Sequence, residues 1–226
     1  MISLLLPTRQ RPAQLTRLVD SAIATASGEI ELVTFIDDDD TSYDDLDFDI
    51  EWVKVRGPRE SGGIVNLSAM WNACYAASSG EIVMHCGDDI VFRTPGWDQV
   101  VYDTFDSYPD NLLFPFGQDG YQVNFGTHGF IHRDWVNTVG FLFPPRFSSD
   151  YNDTFLNDVS KLIGRHVEID ILTEHMHYIV GKAEIDQNTR ERLDRHAADR
   201  PDLLYQSDEI QDLIRESAAK LQEAIQ

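Results

Sequence analysis

The stretch SSGEIVMHCGDDIVFRTPGW, residues 78 to 97, decides how the fold of this chain is interpreted. An apolar run from Ile82 to Cys86 has the composition of a buried strand, and it ends at Gly87. Two adjacent carboxylates, Asp88 and Asp89, follow before the chain becomes apolar again. Like charges at one strand end repel each other unless solvent, hydrogen bonds or a cation offsets the repulsion. The pattern therefore leaves two interpretations open, a solvated turn or a cation site.

The first 90 residues alternate strand-like and helix-like patterns. The apolar runs ISLLLP, IELVTFI, EWVKV and EIVMHC predict strands, and the segments 12–26 and 64–78 predict helices. This alternation indicates an α/β protein with a largely parallel sheet covered by helices. Polar motifs follow three of the strands, namely PTRQR, DDDD and GDD. Because ligands of open α/β sheets bind beyond the carboxyl ends of the strands, the sequence predicts a binding site at that edge.

The rest of the chain is less regular. NLLFPFG and THGFIHR have strand character, TFLNDVSKLIG predicts a helix, and VEIDILTEHMHY predicts a late strand. The last segment, DEIQDLIRESAAKLQEAI, places its apolar residues along one face of an amphipathic helix. That face either packs onto the domain or mediates a homodimer, and the pattern leaves both possibilities open.

Charge limits the partners of the chain, since its 226 residues include 18 Lys+Arg and 39 Asp+Glu, a formal net charge of −21. Such a field repels phosphate backbones and argues against nucleic-acid binding, whereas an anionic substrate requires local cations. No apolar segment approaches the ~20 residues that cross a bilayer, and the N-terminus lacks a secretory pattern. The two cysteines suggest no disulfide framework. The sequence predicts a soluble, cytoplasmic protein with no membrane partner.

Five segments, in order along residues 2 to 165, resemble the family 2 glycosyltransferases of the GT-A fold. They are ISLLLPTRQRP, LVTFIDDDDTS, MWNACYAASSGEIVMHCGDDI, GFIHRDWVNTVG and DYNDTFLNDVSKLIG. The GEIVMHCGDDI segment is the most specific, because it resembles the run that leads into the DXD-type acids of that family. The resemblance implies a GT-A, Rossmann-like, mostly parallel sheet flanked by helices, with a C-terminal helical tail. It also implies a small soluble transferase of the bacterial or phage type.

The paired acids suit the chemistry that the resemblance implies. Breaking the bond between sugar and diphosphate leaves extra negative charge on the nucleotide, which a divalent cation such as Mn²⁺ or Mg²⁺ offsets. The resemblance assigns Asp89 to the metal and Asp88 to the ribose or a metal-bound water. Some GT-A enzymes complete the metal site with a late histidine, which implies His177 in preference to His175. A surface or core position is the alternative for such a histidine pair.

The remaining donor-binding residues also follow from the resemblance. Pro7 and Thr8 would line the base pocket, and Arg9 would stack on the base or reach a phosphate. Asp38, the second acid of DDDD, would read the nucleobase, while most of that acidic run forms a solvated face. Arg59, in the loop RGPRESGG, is a candidate phosphate contact, with an ordinary surface arginine as the alternative.

An inverting transfer requires a carboxylate that takes the proton from the attacking hydroxyl. By resemblance, Asp153 in DYNDTFLNDVSKLIG is this general base and Asp150 is the reserve. Asp153 could instead cap the helix through its side-chain oxygen. In THGFIHR, His128 and His132 are candidates for contact with sugar hydroxyls, or for simple packing within the strand.

The expected organisation is one glycosyltransferase domain over residues 1–185, followed by an acidic helical extension over 186–226. The domain would have a nucleotide-binding half, 1–95, and an acceptor half, 96–185. The expected activity is metal-dependent, inverting transfer of a sugar from a nucleotide-diphosphate donor to a hydroxyl of a glycan, protein or small molecule. Two alternatives stay open: a non-catalytic nucleotide- or glycan-binding scaffold of GT-A type, and a sugar nucleotidyltransferase. Against the latter, no Gly-rich, basic phosphate loop follows the first strand.

Overall fold

The computed structural model describes residues 1–58 and 66–225. The strands are β1 (Ile2–Thr8), β2 (Ile30–Asp37), β3 (Glu51–Gly57), β4 (Ile82–His85), β5 (Ile90–Phe92), β6 (Phe114–Gln118), β7 (Gly129–His132) and β8 (His166–His175). The helices are α1 (Pro12–Thr25), α2 (Leu67–Ala77), α3 (Trp97–Asp106), α4 (Arg133–Val139), α5 (Asn152–Leu162), α6 (Gln187–Asp199), α7 (Pro201–Tyr205) and α8 (Asp208–Ile225), with a 3₁₀ turn at Tyr178–Val180. Within the described ranges the strands form one sheet in the order β3-β2-β1-β4-β7-β6-β8-β5.

The first half of this sheet is parallel and the second half is mixed. Strands β3, β2, β1 and β4 all run in the same direction, so their carboxyl ends meet at one edge. Strand β7 is antiparallel to both β4 and β6, whereas β8 is parallel to β6. Strand β1 continues through Pro7 to Thr8, and Pro7 is in register with Phe35. The α/β class predicted from the sequence is confirmed.

Two apolar cores cover opposite faces of the sheet, as the period-two alternation of a strand requires. In β1, Leu4 and Leu6 pack into the core that contains α1 and α3, while Leu5 packs into the core that contains α2, α4 and α5. Cys74 and Cys86 are buried and free, in agreement with the expectation of no disulfide framework. No described helix combines the length and the apolar composition needed to cross a membrane.

The C-terminal helix α8 packs on the domain. Its apolar residues Ile210, Ile214 and Leu221 are buried in the second core, where the helix lies against α4 and α5. The amphipathic face that the sequence predicted is therefore buried within the chain. Helix α6, which follows β8 and the 3₁₀ turn, begins at the carboxyl edge of the parallel strands, where it contacts the first loop of the fold.

Candidate active site

A cleft of about 860 Å³ opens at the carboxyl edge of the parallel strands. The ends of β1 and β4 form its floor, and α1, α5, the 3₁₀ turn and α6 contribute to its walls. The polar side chains that line the cleft include Thr8, Arg9, Arg11, Arg17, Asp37, Asp88, Asp89, Asp150, Asp153, His175, His177, Asp186 and Arg192. The cleft lies at the edge where the three polar strand ends predicted a binding site.

Asp88, the first acid of the pair, is held by protein groups. It is 5% exposed, and its carboxylate accepts hydrogen bonds from Thr8 Oγ1 at 2.7 Å and from Arg11 Nη1 at 3.0 Å. Burial raises the pKa of Asp88, while Arg11 favours the ionised form, and the neighbouring Asp89 opposes it. The Thr8 hydroxyl is oriented in turn by Tyr43, at 2.7 Å. Asp88 is thus fixed at the cleft floor with its charge partly offset.

Asp89, the second acid, faces a group of histidines. Its Oδ2 lies 3.3 Å from His175 Nε2, and one ligand atom from each of Asp89, His128 and His175 lies within 4.8 Å of the others. Although burial opposes ionisation, the hydrogen bond with His175 lowers the pKa of Asp89. Burial likewise opposes protonation of His175, but its acidic neighbours raise the pKa of that imidazole to about 9. A protonated His175 would offset the charge of Asp89.

Asp119 lies behind His175, whose backbone N–H donates to the main-chain carbonyl of Asp119 at 2.8 Å. Its Oδ1 accepts hydrogen bonds from the backbone N–H groups of Tyr121 and Gln122, both at 2.7 Å, and its Oδ2 accepts one from Thr127 at 2.8 Å. The same Oδ2 lies 3.8 Å from His175 Nδ1. A carboxylate behind the imidazole is the usual second partner of a metal-binding histidine. Sequence reasoning missed Asp119, because the segment GQDGYQ indicates only a turn.

The donor set of this group fits a divalent cation. His128 Nε2 is buried and finds no hydrogen-bond partner among the described residues. A carboxylate oxygen and two imidazole nitrogens are ligands that transition-metal ions accept. A Cβ at Gly87 would come within 2.7 Å of Asp89 Oδ1 and 3.6 Å of His128 Cε1, so the glycine leaves the space between these side chains open.

His177, the histidine that the sequence interpretation preferred as ligand, lies beside this group and outside it. Its ring is 4.8 Å from that of His175 between centroids, and its Nδ1 accepts a hydrogen bond from the backbone N–H of Ile179 at 3.3 Å. It thereby caps the 3₁₀ turn that follows β8. The structure brings His175 and His128 to Asp89 instead.

Asp153 occupies the first turn of α5 and lines the cleft. Its Oδ1 accepts a hydrogen bond from the backbone N–H of Thr154 at 2.8 Å, and burial raises its pKa to about 6. The N-cap position belongs to Tyr151, in a left-handed conformation and without a side-chain cap hydrogen bond, so the side chain of Asp153 both lines the cleft and satisfies a free N–H of the first turn. The reserve candidate Asp150 is paired with Arg192 at 2.6 Å and with His196 at 2.6 Å.

The predicted base-pocket residues follow β1 and β2. Pro7, Thr8 and Arg9 all line the cleft, but Arg9 forms ion pairs with Asp37 at 2.8 Å and with Asp39 at 2.5 Å. Its guanidinium is therefore bound to the acidic loop.

The acid of this loop that faces the cleft is Asp37, and the predicted Asp38 does not line it. Alternation along β2 explains the shift by one residue. Phe35 and Asp37 share the cleft-facing side of the strand, whereas the exposed Asp38 continues the backbone ladder to Gly57 at 2.8 Å. Arg59, the predicted phosphate contact, lies outside the described residues.

The segment after residue 185 closes one side of the cleft. Asp186, which caps α6, binds Arg11 through two hydrogen bonds of 2.7 and 2.8 Å, and Thr189 accepts a third from Arg11 at 3.0 Å. Asn188 donates to the backbone carbonyl of Arg9. The sequence predicts this segment as an extension that follows the glycosyltransferase domain, and no local pattern indicates that it contacts the first loop.

The fold of this chain is similar to that of solved structures. No protein-family model matches the chain, and no curated protein matches its sequence. Among solved structures, S. aureus TarS residues 1–349 has a TM-score of 0.55 at 13% identity, over 99% of this chain and 80% of that one. The same TarS segment in complex with UDP-GlcNAc has a TM-score of 0.54 at 14% identity, over 100% of this chain and 81% of that one.

A third similar structure is the mannosyltransferase PcManGT from Pyrobaculum calidifontis in complex with GDP-Man and Mn²⁺. Its TM-score is 0.56 at 10% identity, over 99% of this chain and 73% of that one. At such identities the likeness defines the fold alone. The chain has a GT-A-like glycosyltransferase fold, and the fold implied by the sequence resemblance is confirmed.

Proposed function

We propose that this chain is a metal-dependent, inverting glycosyltransferase that moves a sugar from a nucleotide-diphosphate donor to a hydroxyl acceptor. One observation carries the proposal. A GT-A-like fold here holds, in a single cleft, a potential cation site at Asp89 and a carboxyl of raised pKa at Asp153. Structural neighbours were solved with UDP-GlcNAc and with GDP-Man and Mn²⁺, which supports the same class of donor.

The donor would bind at the floor of the cleft. Asp88, fixed by Thr8 and Arg11, presents a carboxylate suited to accept hydrogen bonds from ribose hydroxyls. A divalent cation bound through Asp89 and its histidines would supply charge stabilisation of the departing nucleoside diphosphate. Arg17, exposed on α1 and without a salt bridge in the described parts of the chain, is the cation we assign to the outer phosphate side.

Asp153 is the residue we assign as general base. A carboxyl with a pKa of about 6 is ionised at neutral pH, and it is more basic than an ordinary aspartate. It would accept the proton of the acceptor hydroxyl while the hydroxyl oxygen forms its bond to the anomeric carbon and the bond from that carbon to the diphosphate breaks. The attack from the face opposite the leaving group inverts the configuration. Asp150 is less suited, because Arg192 and His196 already bind its two oxygens.

A screen of nucleotide sugars tests the proposal. The purified protein is incubated with UDP- and GDP-sugars and Mn²⁺ or Mg²⁺, and release of the nucleoside diphosphate is measured with and without EDTA. We expect slow hydrolysis of at least one donor, lost with EDTA and restored by the metal. Donor binding with no turnover for any donor, with or without a panel of glycan and small hydroxyl acceptors, would favour the binding or scaffold alternative.

A further inference from the structure

We propose that the cation of this site is held by two imidazoles and one carboxylate, from His128, His175 and Asp89, and that this set selects transition-metal ions such as Mn²⁺ and Co²⁺ over Mg²⁺. The inference deepens the proposed function and rests on it for the role of the cation, but its test requires no substrate. The new element is His128, which the sequence indicated only as a sugar contact or a packed strand residue.

The fold brings the three side chains together from distant parts of the chain. They come from separate parts of the sheet: Asp89 follows β4, His128 precedes β7, and His175 ends β8. Antiparallel pairing of β4 with β7 sets His85 opposite Gly129, which brings the residues that follow β4 beside the residue that precedes β7. Pairing of β5 with β8 sets Ile90 opposite His175. Two independent strand pairings thus bring both imidazoles close to Asp89.

The ligand atoms of the three residues are close enough to bind one ion. The two imidazole rings are 5.0 Å apart between centroids and inclined at 71°, and each of the three residues offers one ligand atom within 4.8 Å of the others. Atoms bound to one ion at about 2.1 Å are separated by about 3 to 4 Å, so small side-chain rotations suffice. His128 Nε2 is buried, and no described residue satisfies it. A buried nitrogen left without a partner costs free energy that an ion would recover.

The surroundings of the group are built to keep both imidazoles in place. Asp119, anchored by two backbone N–H groups and by Thr127, stands 3.8 Å behind His175 Nδ1. His128 is 7% exposed and packs against His175 and His85. The absence of a side chain at Gly87 leaves the space between Asp89 and His128 open. Asp88 is bound by Thr8 and Arg11, so it does not compete as a second carboxylate ligand.

The chemical types of the three ligands determine which metal ions the site prefers. Mg²⁺ is a hard ion that favours oxygen ligands and retains its water, whereas imidazole suits the later first-row metals. For a given nitrogen and oxygen site, affinity rises from Mn²⁺ to Co²⁺. A site with one carboxylate and two imidazoles should therefore bind Mn²⁺ at least tenfold more tightly than Mg²⁺, and Co²⁺ more tightly still.

The test measures metal binding to the full chain without any nucleotide. Mn²⁺ is titrated by the EPR signal of the free ion, and Mg²⁺ by its competition with Mn²⁺. We expect His128→Asn to weaken Mn²⁺ binding at least tenfold and to change Mg²⁺ binding less than threefold. His196→Asn, a matched change of a half-exposed histidine outside the group, should alter neither affinity. Circular dichroism and the melting temperature establish that each variant is folded.

The wild-type protein provides a measurement that does not depend on how a variant folds. Pulsed EPR of bound Mn²⁺ in protein labelled with ¹⁵N-histidine counts the coordinated imidazoles. Two imidazole couplings support the proposal, and one or none overturns it. Equal affinity for Mn²⁺ and Mg²⁺, or a loss of Mn²⁺ binding on His177→Asn but not on His128→Asn, also overturns it. Binding through two imidazoles with no donor turned over would leave this inference standing and remove the proposed function.

Discussion

Replacement of Asp153 by Asn tests the assignment of the general base. The substitution keeps the size of the side chain and an oxygen that can accept the hydrogen bond from the Thr154 N–H, at 2.8 Å in the wild type. It removes the negative charge, and with it the ability to accept a proton from the acceptor hydroxyl. General-base catalysis contributes about 10²- to 10⁴-fold, so we expect kcat to fall by that factor. The Kd for the donor should change less than threefold, because binding does not require proton transfer.

The pH profile gives a second measurement of the same assignment. Burial raises the pKa of Asp153 to about 6, so the wild-type rate should rise with pH through about 6 and level off above it. The residual rate of Asp153→Asn should lack this inflection. Asp158→Asn is the matched control, since Asp158 lies on the same helix and accepts a hydrogen bond from Tyr205 at 2.5 Å. Its kcat and its inflection should remain those of the wild type.

The same pKa predicts an effect on stability with a definite sign. The folded protein binds the Asp153 proton more tightly than the unfolded chain, so stability falls as pH rises from 3.8 to about 6. At 1.36 kcal/mol per pKa unit the full loss is at most about 3 kcal/mol, and access of water from the cleft reduces it. Asp153→Asn should therefore raise the melting temperature by a few degrees at pH 8 and by much less at pH 4.

Measurements of activity and of stability together test whether Asp153 is the general base. Transfer is followed by release of the nucleoside diphosphate with the donor found in the screen, and melting is followed by circular dichroism at both pH values. Loss of kcat together with an equal or higher melting temperature supports Asp153 as the base. A variant that retains wild-type kcat, or one that loses activity only because it unfolds, would refute the reasoning.

Three further outcomes follow from the contacts around the cleft. Asp186→Asn should lower the melting temperature by about 2–4 °C at pH 7 and weaken donor binding, because it removes the ion pair with Arg11. Hydrogen bonds from Arg11 hold the pKa of Asp186 at about 2, although burial opposes this. The difference in melting temperature between the variant and the wild type should therefore vanish as pH falls toward 2. Leu221→Ala should lower the free energy of unfolding by about 2–5 kcal/mol in urea titrations, since this side chain of α8 is fully buried. Asp37→Asn should raise the Kd for the donor at least fivefold in calorimetry, whereas Asp38→Asn, on an exposed side chain outside the cleft, should leave it within twofold.

The sequence alone supported the general location of the site. The run from Ile82 to Cys86, followed by Asp88 and Asp89, identified a buried strand with acids at its end, and the structure places β4 and the cleft accordingly. Helical spacing likewise predicted α8 and its buried face. These features follow from apolar periodicity, which is a local property of the chain.

The finer assignments depended on contacts that have no local signal. The orientation of Asp37 toward the cleft and Asp38 away from it follows from how β2 is set in the sheet. The hydrogen bonds between Arg11 and Asp186 join residues 175 positions apart. Such a pair is close only when β8, which precedes Asp186, is paired with β6 in the sheet.

The amino-acid sequence by itself determined the α/β class, the polar edge of the sheet and the carboxylates available there, because alternation and composition act over a few neighbouring residues. Only the tertiary structure decided which histidines stand beside Asp89. His128 and His175 reach it through two separate strand pairings, with β4 and with β5. The register of distant strands is set by packing of the whole core, which a linear pattern does not specify.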